Sequence, residues 1–173
     1  MSQGVRRQSN AEIEQSFDSL LNTTKVTLVS DTVESFAQDT FVDSGFQISL
    51  PPGVYNLKYQ LIVTTRISGS ATNETVKAAT ILRDQSGNYL EESFAVSMTF
   101  IENNSLQMNM THSVDVPELI VNEPTIFNVW KLKMEDSGGG TGNCAVRINS
   151  DVNLGGQNRG VSYIWAQKIR DVA

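Results

Sequence analysis

Hydrophobic and polar residues alternate along most of the chain. Three segments place apolar side chains at nearly every second position: Tyr55, Leu57, Tyr59, Leu61 and Val63; Leu90, Phe94, Val96, Met98 and Phe100; Leu106, Met108, Met110, Val114 and Val116. This period of two is typical of a strand that buries one face. Further strands are predicted at about 25–29, 33–42, 46–50, 75–84, 124–135, 144–149 and 160–170. Eight to ten short strands separated by turn residues indicate an all-β domain, either a sandwich or a barrel.

The N-terminal segment follows a helical period instead. Ser9 and Glu12 have the spacing of a capping box. Apolar residues then follow on one helical stripe: Ile13, Phe17, Leu20 and Leu21. The sequence therefore predicts an arm over 1–24 that contains a short amphipathic helix, followed by the β-domain over 25–173. Because so short a helix is marginal in water, its stripe must dock on its own domain or on a neighbouring subunit.

Two predicted strands, 124–135 and 160–170, carry apolar residues on both faces. Antiparallel sheets usually leave one face to water, so these strands need a second cover. A local loop is one possibility, and another subunit is the cover that we predict. The residues predicted to form the interface are Phe127, Val129, Tyr163, Ile164, Trp165 and Ala166.

Composition and charge exclude several classes of protein. The 173 residues include 13 Lys+Arg and 19 Asp+Glu, a net charge of −6 that disfavours binding to nucleic-acid phosphates. No run of 18 apolar residues predicts a membrane-spanning helix, and residues 1–10 do not resemble a secretory signal, so we expect production in the cytoplasm. Arg6 and Arg7 concentrate positive charge in the arm, where it would favour an acidic neighbour.

No catalytic or metal-binding pattern is recognisable. One cysteine, Cys144, and one histidine, His112, cannot form an intramolecular disulfide or a zinc site of the usual kind. His112 shares its strand face with apolar residues, which predicts a hydrogen-bonded core or interface residue rather than a base. The glycine-rich stretch 138–142 lacks the lysine of a phosphate-binding loop. We therefore expect no enzyme activity, no cofactor and no metal.

Several segments resemble the jelly-roll domains of the tumour-necrosis-factor and complement-globular-head superfamily. The segment 46–55, FQISLPPGVY, resembles the apolar strand, Pro-Gly-x-Tyr turn and long strand of that fold. The segments 76–84 and 124–134 resemble later strands, and SYIWAQKI at 162–169 is similar to the last strand of bacteriophage virion proteins with this fold. The resemblance covers about 40–170 and implies eight to ten antiparallel strands that assemble as a trimer. The N-terminal arm departs from the collagen or membrane stalk of animal members.

Three hypotheses about function follow. The first is a structural virion protein: a trimeric decoration (cement) protein on the capsid of a tailed bacteriophage, which docks on capsid or other virion protein through Arg6, Arg7 and the helix stripe. The second is a receptor-binding or tail-fibre head domain that recognises host-surface carbohydrate. The third, a jelly-roll enzyme or small-ligand binder, is disfavoured by the single histidine.

Overall fold

The structure is a computed structural model of the chain. It describes residues 13–18, 22–35, 37–68, 72–103, 106–137, 143–154 and 157–172. Within those ranges the chain forms twelve strands and no helix. The strands are β1 (Ile13–Asp18), β2 (Thr23–Leu28), β3 (Val42–Leu50), β4 (Gly53–Ser68), β5 (Thr72–Asp84), β6 (Tyr89–Asn103), β7 (Leu106–Val121), β8 (Thr125–Ser137), β9 (Asn143–Asn149), β10 (Asp151–Leu154), β11 (Gln157–Val161) and β12 (Tyr163–Arg170).

The strands form two antiparallel sheets that pack face to face. The first sheet has the order β1-β2-β12-β4-β7, with β9 also paired to β4, and the second has the order β3-β8-β5-β6. Strands β10 and β11 make a separate hairpin. Apolar side chains from both sheets share one core cluster. The predicted all-β sandwich is therefore confirmed.

The strand pairing is that of a jelly roll. Strand β2 pairs with β12, β3 with β8, β4 with β7, and β5 with β6. These four pairs follow one another along a single long antiparallel hairpin that the β5–β6 turn closes. When this hairpin curls, its strands are distributed between the two observed sheets. This order agrees with the jelly roll that the resemblance implies.

Strand β4 is the central strand of the core. Its alternate residues are all buried, as the sequence predicts: Tyr55, Leu57, Tyr59, Leu61 and Val63. Burying each such side chain contributes about 1.5–3 kcal/mol, so this one face supplies a large share of the driving force for folding.

Strands β9 and β12 are two parts of one interrupted strand. Strand β12 pairs with the first half of β4 and β9 with the second half, on the edge opposite β7. Between them the chain leaves as the β10–β11 hairpin and returns at Ser162. The Ser162 hydroxyl donates to the Asn149 carbonyl (2.5 Å) and accepts from the Ile62 amide (2.9 Å). Ser162 thus closes the gap in the sheet.

The segment between β2 and β3 crosses from one sheet to the other. Its backbone forms isolated bridges from Ser35 to Val146 of β9 and from Gln38 to Lys133 of β8. The strand predicted at 33–42 is therefore wrong over most of its length. Because this segment links two different sheets, it cannot pair continuously with either of them.

Lys131 of β8 anchors this crossing segment from inside the sandwich. Its side chain is only 2% exposed, and its Nζ donates hydrogen bonds to Thr32 Oγ1 (3.0 Å) and to the Val33 carbonyl. Burial lowers the pKa of Lys131 from its ordinary 10.5 to about 8, against the opposing effect of the Asp43 and Glu34 carboxylates. A buried ammonium group therefore holds the segment over the core.

The predicted N-terminal helix is not found. Residues 13–18 form β1, an edge strand that pairs antiparallel with β2 from Ile13–Leu28 to Asp18–Thr23. The spacing of four between Ile13 and Phe17 suits one face of a helix, but four is also even, so the same spacing suits one face of a strand. Pairing with the free edge of β2 decides between the two. Among the described residues, no helix has the length and hydropathy to cross a membrane.

Candidate functional site

The single histidine belongs to a polar cluster between the two sheets. His112 of β7 is 3% exposed, with Nδ1 2.7 Å from Thr80 Oγ1 and Nε2 2.8 Å from Ser97 Oγ. Burial lowers its pKa from the ordinary 6.5 to about 4, so the ring is neutral at pH 7. The prediction of a hydrogen-bonded core histidine is confirmed. In the described part of the chain, no three His, Cys, Asp or Glu side chains group to hold a metal ion.

The same cluster includes Tyr59 of β4. Its hydroxyl donates to the Ser93 carbonyl and lies 3.3 Å from Thr80 Oγ1. Burial raises the pKa of Tyr59 to about 12. Nearby, Thr65 Oγ1 is hydrogen-bonded to Thr99 Oγ1 at 2.7 Å. The core between β4 and β6 is therefore lined by hydroxyl groups that have partners.

A bulge in β6 determines which of its side chains reach this core. Between the pairs Leu82–Leu90 and Thr80–Ala95, β5 advances by two residues and β6 by five, which leaves three extra residues in β6. Ser93 holds the bulge, because its Oγ accepts from the Leu82 amide (2.7 Å) and donates to the Leu90 carbonyl (2.5 Å). An odd number of extra residues reverses the face to which later side chains point.

Beyond the bulge, β6 points its large apolar side chains outward. The exposed fractions are 44% for Phe94, 53% for Val96, 58% for Met98 and 54% for Phe100. We call these four residues the apolar row. The prediction that they share the buried face with Leu90 is wrong, since Leu90 alone of the five packs against the core.

The outer face of the second sheet is apolar beyond the row itself. Val96 pairs with Ala79 of β5, and Ala79 pairs in turn with Leu132 of β8. Trp130, two residues before Leu132, has the Arg83 guanidinium 4.6 Å from its ring centre. Ala79 itself is fully buried, whereas Trp130 and Leu132 are partly exposed. We call this surface the apolar face; it consists of the apolar row with Trp130 and Leu132. Such a surface on a sandwich is typical of a protein contact site.

The structure separates the six residues predicted for a subunit interface. Four of them are buried in the core of their own chain: Phe127, Val129, Ile164 and Ala166. Their burial therefore needs no neighbouring subunit. Tyr163 and Trp165 lie half-buried on the outer face of the first sheet, where a role in a subunit contact stays a prediction.

Of the residues predicted for capsid docking, the structure describes only Ile13 and Phe17. Arg6, Arg7, Leu20 and Leu21 lie outside the described residues, as do the helix-capping residues at 9 and 12. Ile13 and Phe17 lie in β1, paired with Leu28 and Thr24. The docking role of the arm therefore stays a prediction.

Tyr163 and Trp165 line an open groove on the outer face of the first sheet. Lys25 of β2 and Lys58 of β4 both pair with Trp165, one on each side. The Lys25 Nζ lies 5.0 Å from the centre of the Tyr163 ring, and the Lys58 Nζ lies 2.7 Å from Asp115 Oδ2. We call this the aromatic groove; its volume is about 480 Å³ and its lining is Lys25, Lys58, Tyr163 and Trp165.

The sequence analysis missed both surfaces for identifiable reasons. Nothing in the alternation of β6 reveals the bulge that reverses it. A signal was present in the opposite parity, where hydroxyl residues recur at Ser93, Ser97 and Thr99. The aromatic groove requires the pairing of β2, β12 and β4, which are distant in sequence.

Comparison with known proteins gives weak similarities. No protein-family model matches the chain, and no curated protein matches it. Solved structures of infectious bursal disease virus are similar at low identity: the Gx strain (12% identity, TM-score 0.36, 92% of this chain and 36% of that chain), the Gt strain (15%, 0.36, 86% and 38%) and the VP2 subviral particle (11%, 0.32, 95% and 36%). The chain spans little more than a third of those chains. Similarities of this size assign no family.

Proposed function

We propose that this protein is a structural component of a virus particle and that it assembles as a homotrimer through the apolar face. In its most specific form, the proposal is a decoration protein that cements the head shell of a tailed bacteriophage. The jelly-roll order of the strands supports it, as does the similarity of residues 162–169 to the last strand of bacteriophage virion proteins with that fold. The apolar row is the observation that carries it.

The size of the row supports a contact with protein. Four large side chains that are about half exposed present on the order of 400 Å² of apolar surface. At about 25 cal/mol per Å², covering them would contribute about 10 kcal/mol. Association itself costs about 4–15 kcal/mol, so the rest of the apolar face must contribute as well. Copies of this chain are the proposed occupants, and the three-fold state is what the resemblance implies.

Light scattering on purified protein tests the assembly. We expect a mass three times the 19.0 kDa of one chain at micromolar concentration. The double variant Val96→Lys/Met98→Lys should be a folded monomer, because both side chains are more than half exposed in the single chain. Thr111→Lys, at an exposed position of the first sheet, is the matched control and should stay trimeric. A monomeric parent protein, or a double variant that remains trimeric, would contradict the proposal.

Attachment to the particle is a separate part of the proposal. We propose that the arm, with Arg6 and Arg7, docks on an acidic capsid surface, and three arms on one trimer would bind by avidity. Deleting residues 1–12 leaves β1 in place, so the truncated protein should still form trimers. Its binding to empty capsids should fall and the remaining binding should lose its salt dependence. Full capsid binding by the truncated trimer would place attachment on the jelly roll instead.

A further inference from the structure

The aromatic groove is built from three neighbouring rows of side chains across the first sheet. Trp165 lies between Lys25 and Lys58 in one row. In the next row Tyr163 lies between Thr27 and Gln60, and on the other side Gln167 lies between Thr23 and Asn56. Because strands are about 4.8 Å apart, the two lysines are separated by about 10 Å across the groove. Tyr163 and Trp165, two residues apart on β12, are separated by about 7 Å along it.

These dimensions suit a short saccharide. Aromatic side chains offer flat apolar faces, and the C–H face of an all-equatorial pyranose is also flat and apolar. Two platforms about 7 Å apart can support two successive sugar rings. The amides of Gln60 and Gln167, in the flanking rows, can donate to and accept from the hydroxyl groups at the edges of the rings.

The charges in the groove favour an acidic sugar over a polyphosphate. At one side, the Lys25 ammonium group lies over the Tyr163 ring, 5.0 Å from its centre. A sugar that stacks on Tyr163 takes that place, and the flexible lysine side chain then meets the carboxylate at the edge of the sugar ring. At the other side Asp115 pairs with Lys58 and reduces the positive charge there. The chain as a whole carries −6, which repels a polyanion such as a nucleic acid. One carboxylate on a flat ring therefore matches the groove better than a string of phosphates.

We propose that the aromatic groove binds an oligosaccharide that contains a uronic acid, with Trp165 and Tyr163 stacking on the sugar rings and Lys25 binding the carboxylate. This inference goes beyond the proposed assembly role. The groove lies on the opposite side of the sandwich from the apolar face. Loss of one function therefore leaves the other intact, and the two proposals can fail separately.

Tryptophan fluorescence with a defined saccharide tests the site. The chain has two tryptophans, so Trp130→Phe leaves Trp165 as the reporter and also serves as the matched control on the other sheet. The probe is a hyaluronan tetrasaccharide, whose glucuronates have all-equatorial rings, and its carboxyl-reduced counterpart lacks only the charge. We expect the acidic form to change the fluorescence with a Kd on the order of 1 mM. The reduced form should bind several-fold more weakly, because it lacks the one exposed ion pair with Lys25.

Two variants separate stacking from charge, with saturation-transfer NMR as the readout. Trp165→Ala should reduce the affinity for both saccharides by about tenfold. Lys25→Met should abolish the preference for the acidic form while it leaves binding of the reduced form unchanged, a split that a merely structural defect would not produce.

Several results would overturn the inference. One is the absence of any response to either saccharide. Another is an equal loss of saccharide affinity in Trp165→Ala and Trp130→Phe. A third is binding of tripolyphosphate as tight as that of the acidic saccharide, which would reveal an anion site without sugar recognition. A change in oligomeric mass on Trp165→Ala would also overturn it, because it would assign the groove to a subunit contact.

Discussion

His112 should make this protein less stable in acid. Its folded-state pKa of about 4 lies below the ordinary 6.5 that it regains on unfolding. As the pH falls through this window, the unfolded chain therefore binds a proton before the folded chain does. The stability that the neutral ring contributes is complete above pH 6.5 and is lost progressively down to pH 4.

The structure sets the size of this effect. A pKa shift of one unit is worth about 1.4 kcal/mol, so the fall from 6.5 to about 4 corresponds to about 3 kcal/mol. The two ring nitrogens face hydroxyl groups, those of Thr80 and Ser97. Desolvation of the imidazolium is thus the physical cause, and a change that removes the imidazole should remove the effect.

Urea unfolding followed by circular dichroism at pH 7, 5.5 and 4 provides the assay. The parent protein should lose about 3 kcal/mol more than His112→Gln over this range, since carboxylates titrate in both proteins and cancel in the difference. Because His112 is the only histidine, its ring resonance also reports its pKa directly by NMR. Parallel pH dependences of the two proteins, or a ring that titrates near 6.5 in the folded state, would refute the reasoning.

Three further perturbations test the packing. Raising the pH from 8 to 10.5 should stabilise the parent protein by about 3 kcal/mol through Lys131. In this pH range the Lys131 amine stays protonated in the unfolded chain but loses its proton in the folded chain. Urea unfolding of Lys131→Met should show no such increase in stability. Ser93→Ala should cost about 1–3 kcal/mol, because it leaves the buried Leu82 amide without its acceptor, and an unchanged unfolding midpoint would show that the bulge does not need Ser93. Ile164→Asp should unfold the chain at a cost of about 3–5 kcal/mol rather than merely dissociate an oligomer, so a monomer with native circular dichroism would contradict its place in the core.

Local alternation predicts this fold well where one strand meets one core. Strand β4 is the clearest case, since its residues from Tyr55 to Leu61 alternate in sequence and in burial, and the alternation ends only at Ile62, which is buried as well. The alternation of β6 is equally regular, yet the bulge at Ser93 turns its apolar set to the outside. The alternation shows which residues share one face of a strand, but only the pairing with the neighbouring strand determines which face is buried.

The burial of four predicted interface residues within their own chain has the same origin. Trp165 and Ile164 are adjacent residues of opposite parity, and the sequence shows only that both faces of β12 are apolar. The inner face is covered by the second sheet of the same chain, which accounts for Ile164. The outer face carries Trp165 and, through pairing with β2 and β4, the two lysines beside it. Which of the two faces is covered by the same chain depends on the tertiary structure and cannot be seen in the sequence of β12.

Strand β6 contributes polar residues to the core on one face and carries the apolar row on the other. A core face made of serine and threonine is tolerable only if every buried hydroxyl has a partner, because an unpaired one costs about 1–3 kcal/mol. Strand β6 meets this condition, since Ser97 bonds to His112 and Thr99 bonds to Thr65. An ordinary apolar inner face would need no such network. The inversion therefore gains nothing for the isolated chain, and the proposed contact of a second subunit with the apolar row would account for it.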